Sequence, residues 1–259
     1  MTRLLPVLLC AALAGCVTES ESVFTEKAAP AEAMQQRVAL ARRYIGDGNW
    51  EDAKRNLQAA VAIDDRNPQV YEAFALVYQS TGEYELAEES FERAIALDRR
   101  FSRARNNYAA FLYGRQRYRE AEQQLEEVVR DTLYSARPRA FVNLALCRLR
   151  LGNPVAAQDA LARALAMEPE STVALLELAQ LRLEAGDSGA ASHYYERYRR
   201  AVRRPSARGL WLGVRVARAD GDADAESSYA LALRNLYPQS AEYAAYRRSL
   251  AEPQAPPQR

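Results

Sequence analysis

Small residues recur down this chain at an almost fixed interval. Ala41, Ala75, Ala109, Ala145, Ala179 and Gly213 are spaced by 34 residues, save for one gap of 36. A second column, Ala53, Ala87, Ala121, Ala157, Ala191 and Ala225, follows the first at a constant offset of 12. Large apolar residues keep step with both. Leu40, Phe74, Tyr108, Leu144, Leu178 and Leu212 precede the first column by one residue; Leu57, Phe91, Leu125, Leu161, Tyr195 and Tyr229 follow the second by four. Within Pro68–Phe101, Tyr71, Phe74, Ala75 and Tyr78 lie three or four apart, as do Tyr84, Ala87, Phe91 and Ala94, with Gly82 between the sets. Those spacings put each set on one face of a helix, and the glycine permits the turn that joins them. One such hairpin cannot bury its apolar faces alone, so its recurrence dictates a stacked array. The predicted units are 34–67, 68–101, 102–137, 138–171, 172–205 and 206–239.

This column pattern resembles the tetratricopeptide repeat, which places small residues at positions 8, 20 and 27 of 34. The resemblance implies an all-α, right-handed superhelical solenoid of six helix hairpins. Position 27 reads Ala60, Ala94, Val128, Ala164, Tyr198 and Ala232. Val128 and Tyr198 are large for that place, so looser or shifted packing is expected after repeats three and five. The extra length of repeat three falls near Leu133–Pro138. Beyond the repeats, a capping helix is expected over 240–251, with Tyr243, Tyr246 and Leu250 on its inner face, and a disordered tail over 252–259.

The N-terminus carries a different signal. In residues 1–15, Arg3 precedes an apolar core, Leu4–Leu13, too short to span a bilayer. It reads as a signal peptide. Its end, Leu13-Ala14-Gly15-Cys16, resembles the bacterial lipobox, which implies cleavage before Cys16 and lipidation of that residue. Residues 16–33 are then a flexible tether from lipid to fold. Val17, rather than Asp, is the residue expected for sorting to the outer membrane.

Composition excludes more than it assigns. The chain has 35 basic and 34 acidic residues, and a balanced charge offers no footprint for nucleic acid. Nearly all the basic residues are Arg, and five stand in Arg197–Arg204, either a patch for an acidic partner or lipid head group or a solvated helix end. Cys10 leaves with the signal, Cys16 is lipidated, and Cys147 is expected in the core. The single histidine, His193, lies a full repeat away from it. No metal-ligand cluster, phosphate loop or catalytic constellation is present in the sequence, so no cofactor and no enzymatic activity is expected.

Function is therefore expected on the concave face. In the tetratricopeptide fold that face is lined by first-helix residues, which implicates Arg103, Asn106, Asn107 and Tyr113 in repeat three. Repeat four offers Val142, Asn143, Leu146 and Leu149. Repeat five offers Leu176, Glu177, Gln180 and Leu183, and repeat six Trp211. Asn107 and Asn143 share position 6. Their amides could hold both polar groups of an extended peptide backbone, or could bond only within the repeats. Repeat two, the most regular, reads as a structural module.

Three strings narrow the family: Arg105-Asn106-Asn107-Tyr108-Ala109-Ala110-Phe111-Leu112, Leu210-Trp211-Leu212-Gly213, and Leu236-Tyr237-Pro238-Gln239-Ser240. With the lipobox and six repeats, they resemble the type IV pilus biogenesis lipoproteins that act as secretin pilotins. The resemblance implies a monomeric protein on the periplasmic face of the outer membrane, anchored through Cys16. Its partners would be secretin subunits, whose localisation and multimer assembly it promotes. A scaffold for another envelope complex, serving cell-wall hydrolases or polysaccharide export, is the alternative.

Overall fold

The computed structural model describes residues 29–251. The signal sequence, Cys16, most of the tether and the C-terminal tail lie outside the described residues. Thirteen helices make up the described chain: α1 (Pro30–Gly46), α2 (Trp50–Val61), α3 (Pro68–Thr81), α4 (Tyr84–Leu97), α5 (Ser102–Gly114), α6 (Tyr118–Arg130), α7 (Arg137–Arg150), α8 (Pro154–Met167), α9 (Thr172–Glu184), α10 (Ser188–Ala201), α11 (Ala207–Asp220), α12 (Ala223–Leu236) and α13 (Ala241–Ala251). The first twelve pair as six hairpins, each stacked on the next, and α13 closes the last against α11 and α12. The fold is an all-helical tetratricopeptide solenoid.

Local chemistry sets the helix ends. Asn49, Asn153, Asp187 and Asp222 each accept a hydrogen bond from the backbone N–H three residues on, so the second helices of four hairpins are capped by their own turns. Gly82 closes α3 at φ 85°, a left-handed conformation that costs a side-chain-bearing residue energy. The first helix starts at Pro30, four residues before the first predicted unit. Proline is tolerated in the first helical turn, and Glu32 there opposes the positive end of the helix dipole.

The alanine columns lie at the helix crossings. Ala41, Ala75, Ala145 and Ala179 have no exposed surface, nor do Ala53, Ala87, Ala121, Ala157 and Ala191. Three columns break at the ends of the described array. Leu40 is 37 % exposed, whereas Leu144, Leu178 and Leu212 are buried. That column packs on the preceding hairpin, and repeat one has none among the described residues. Tyr229 and Ala225 are only half-buried, because among the described residues a single helix rather than a full hairpin follows them.

The junction after repeat five is not loose. Tyr198 is 4 % exposed and Tyr195 2 %. Their bulk is admitted by glycines on α11. A Cβ at Gly209 would stand 2.9 Å from Tyr198 Cζ, and one at Gly213 2.6 Å from Tyr195 Cζ. The Tyr195 hydroxyl donates to the Gly209 carbonyl at 3.1 Å. Val128, likewise, is fully buried. The two extra residues of repeat three fall in the turn after α6, where Asp131 accepts from the Ser102 hydroxyl at 2.5 Å and from Leu133 N–H at 3.0 Å. Those bonds hold the Asp131 carboxyl below the usual range, the Ser102 hydroxyl contributing most. The same turn leaves Leu133 93 % exposed.

In α13 the packed face is rotated from the expected one. Tyr246 meets the Trp211 ring edge-on at 6.2 Å and stacks on Tyr243, and Ser249 accepts from Arg218. Leu250 points away and is 59 % exposed.

Candidate functional site: the face of the first helices

The first helices α1, α3, α5, α7, α9 and α11 share one side of the solenoid. Consecutive members touch at α1–α3, α3–α5, α5–α7 and α9–α11, but contact thins between α7 and α9. There a hollow of about 660 Å³ opens. Leu146 and Leu149 of α7 form one wall; Val173 and Leu181 of α9 form the other; Tyr113 of α5 and Arg208 of α11 bound its ends. Its polar groups are already organised. Arg150 Nε donates to Tyr113 Oη at 3.0 Å. Glu177, only 5 % exposed, is held by Arg208, whose Nη2 donates to Glu177 Oε2 at 2.8 Å and to Gln180 Oε1 at 2.6 Å. The hydrogen bond to Glu177 raises the Arg208 pKa despite the opposing effect of burial. Smaller hollows of 420–510 Å³ lie between other consecutive hairpins and are rimmed by arginines.

The predicted groove residues divide by depth. Tyr113, Leu146, Leu149, Gln180 and Leu183 are half-buried and present surface to the groove side. Position 5 does not. Val38, Glu72, Asn106, Val142, Leu176 and Leu210 are all buried, because this position sits between neighbouring first helices. The expectation that Asn106, Val142 and Leu176 offer contact surface is corrected accordingly. The two position-6 amides are engaged within the array: Asn107 Nδ2 donates to Glu72 Oε1 at 2.6 Å, and Asn143 Nδ2 to Asn106 Oδ1 at 3.3 Å. Of the two roles open to them, the structure displays bonding between repeats. Trp211 is half-buried, with the Tyr246 ring against it.

Repeat two contains a group, Glu72, that sequence reasoning placed on the groove surface and that the structure buries. Glu72 has no exposed surface. Arg42 of α1 donates to it, Asn107 of α5 donates to its other oxygen, and Arg103 Nη2 of α5 lies 3.8 Å away. One carboxylate thus ties three successive first helices. The signal was legible as opposite charges at inward positions of consecutive repeats: Arg42, Glu72 and Arg103.

Cys147 is 1 % exposed, and burial pushes its thiol up to about 12. His193 is on the surface. Among the described residues no group of three potential metal ligands forms, and no helix is long and apolar enough to cross a membrane.

Comparison with known proteins agrees with the repeats. Tetratricopeptide-repeat profiles match residues 68–101, 112–172 and 148–210. The type IV pilus assembly protein PilF of Pseudomonas aeruginosa is 36 % identical over 238 residues, covering 91 % of this chain and 94 % of that protein. The chain belongs to the PilF family. A solved structure of Pseudomonas aeruginosa PilF superposes with a TM-score of 0.81, covering 85 % of this chain and 99 % of the other at 36 % identity. The structure of PilW, described as a widely conserved type IV pilus biogenesis factor, gives 0.73 at 28 % identity, covering 83 % and 99 %. YrrB, a tetratricopeptide protein at 16 % identity covering 74 % of this chain and 97 % of its own, shares the fold with a TM-score of 0.60. Membership of the PilF family makes this solenoid a member of a pilus-assembly lineage built on a protein-interaction fold.

Proposed function

We propose that the protein is a non-enzymatic lipoprotein of type IV pilus biogenesis that binds secretin subunits through the hollow between α7 and α9. It promotes their localisation and multimer assembly at the outer membrane. The observation that carries this reading is the hollow itself. Leu146, Leu149, Val173 and Leu181 give it an apolar strip, and the polar groups around that strip are paired among themselves: Arg150 with Tyr113, Arg208 with Glu177 and Gln180, and Gln180 with Glu184. PilF-family membership supplies the process, and the lipobox-like ending at Cys16 supplies the anchor. An acylated Cys16 would confine the solenoid to the membrane surface, where tethering raises the local concentration of a membrane-bound partner.

The test is co-purification. Leu146→Glu and Val173→Glu put charge into the hollow at half-buried or exposed sites, sparing the core. Secretin subunits should co-purify with the unaltered protein and be lost from both variants. Equal recovery from both, or recovery of another envelope complex in place of secretin, would remove this assignment. Cys16→Ser should keep binding in solution while lowering the yield of secretin multimers in cells.

A further inference from the structure

The two ends of the first-helix face differ in charge balance. At the α9 end, buried Glu177 is met by Arg208 with two hydrogen bonds, and Arg150, which also feels the Glu177 charge, shares the hollow with a second carboxylate, Glu184, so the charges balance. At the α3 end, buried Glu72 faces two guanidiniums, Arg42 and Arg103. Arg42 and Asn107 already occupy its oxygens, so Arg103 is left at 3.8 Å without a hydrogen bond to it. The Arg103 Nε is buried without a hydrogen-bond partner among the described residues, the guanidinium carbon lies 5.1 Å from the centre of the Phe101 ring, and the side chain as a whole is 41 % exposed. Burial, and secondarily the charge of Arg42, lower the Arg103 pKa more than Glu72 restores it. One helix further on, Arg139 is exposed and forms no ion pair among the described residues. Tyr134 stands near enough to Arg103 and Arg139 for both charges to act on its hydroxyl. A guanidinium presents its donors as a planar fork that a carboxylate fills with two bonds, and an unfilled buried donor carries a desolvation cost.

We propose that Arg103, with Arg42 beside it and Arg139 on α7, forms a subsite for a carboxylate of the bound protein segment, whose apolar side chains enter the hollow between α7 and α9. The inference rests on the groove reading above and gives it a direction. The acidic group lies toward α3, where positive charge is in excess, and the apolar groups toward α9, where charge is balanced. The subsite lies among the first helices at partly buried depth, which favours a narrow protein segment over the flat surface of a bilayer.

The subsite can be read without knowing the partner. The arginine Nε–Hε correlations of isotope-labelled full-length chain, held in neutral detergent, are followed by NMR as N-acetylaspartate is added. The Arg103 signal should shift saturably, and should not do so with N-acetylasparagine amide. Arg139→Gln, read at the Arg103 signal, and Arg103→Gln, read at the Arg42 signal, should each weaken the carboxylate by about tenfold, the loss expected for a hydrogen bond to a charged group. Arg139 is exposed, so its replacement cannot act through the core. Leu146→Glu should leave the titration unchanged while abolishing partner capture, which separates this subsite from the hollow. Non-saturating shifts spread over all arginines, binding unchanged by Arg139→Gln, or inorganic phosphate bound as tightly as the carboxylate would each overturn the proposal.

Discussion

Replacing Gly213 by alanine sets two effects of opposite sign against each other. Gly213 lies inside α11, where alanine is favoured over glycine by about 1 kcal/mol. On helix propensity alone, Gly213→Ala stabilises. The packing predicts the reverse. The new Cβ would lie 2.6 Å from Tyr195 Cζ and closer still to its hydroxyl, well inside contact distance. Tyr195 is 2 % exposed, so its ring has no free space to swing into, and displacing it breaks the hydroxyl bond to the Gly209 carbonyl. Overpacking of this kind costs about 1–3 kcal/mol, and the lost hydrogen bond adds about 1 kcal/mol. After the propensity gain, the net change is a destabilisation of about 2 kcal/mol, or about 4–8 °C in Tm for a chain of this size. Urea denaturation followed by circular dichroism measures it. Tyr195→Leu should largely rescue Gly213→Ala, because repeat four already pairs Leu161 with Ala179 at the corresponding places. The two changes should therefore be strongly non-additive in a double-mutant cycle. Stabilisation by Gly213→Ala alone would refute the size-matching argument.

Other outcomes follow from the same structure. Glu72→Ala should cost about 2–4 kcal/mol, since it leaves two guanidiniums facing each other, whereas Glu127→Ala, which removes the exposed pair with Arg130, should cost under about 0.5 kcal/mol; both are read from urea midpoints. Leu178→Ala should cost about 2–5 kcal/mol and Leu40→Ala far less, because Leu40 is 37 % exposed and no hairpin precedes it among the described residues. Cys147 should resist Ellman's reagent at pH 8 in the native protein and react only on unfolding, as burial pushes its thiol up to about 12. Asp131, whose folded pKa is depressed, contributes stability above its unfolded value that is lost as pH falls through the folded one. Ser102→Ala should therefore reduce the fall in stability on acidification, measured as urea midpoints between pH 7 and pH 3.

The repeat and its closest contacts were legible because they depend on size at fixed intervals. An alanine at every crossing can be read from spacing, and Ala157 or Ala191 needs no coordinates to be placed. What spacing cannot supply is the neighbour. Leu40 belongs to a packing column but lacks the surface that the column packs on. Tyr198 looks too large for position 27 until it is set beside Gly209, eleven residues later on the next helix. Matched changes of size in consecutive repeats were present in the sequence but need a stacking register to be seen. The site was legible in part. Tyr113, Leu146, Leu149, Glu177 and Gln180 do line the hollow, and Val173 joins them from the start of α9. Arg208 was missed because it stands at position 3, outside that register, and reaches back to Glu177. Asn106 and Val142 were overrated because positions 5 and 6 look equivalent on a helical wheel, while the curvature of the array buries the first between helices.

The tie from Glu72 to α1, α3 and α5 bears on how a partner would be received. A link buried from solvent is weakly screened, so salt should slow encounter at the basic rim without loosening the floor beneath it. Because three helices are fixed to one another before anything arrives, little ordering remains for the bound state to complete. Association should then proceed in one kinetic phase that responds to ionic strength, with no slower step of closure behind it.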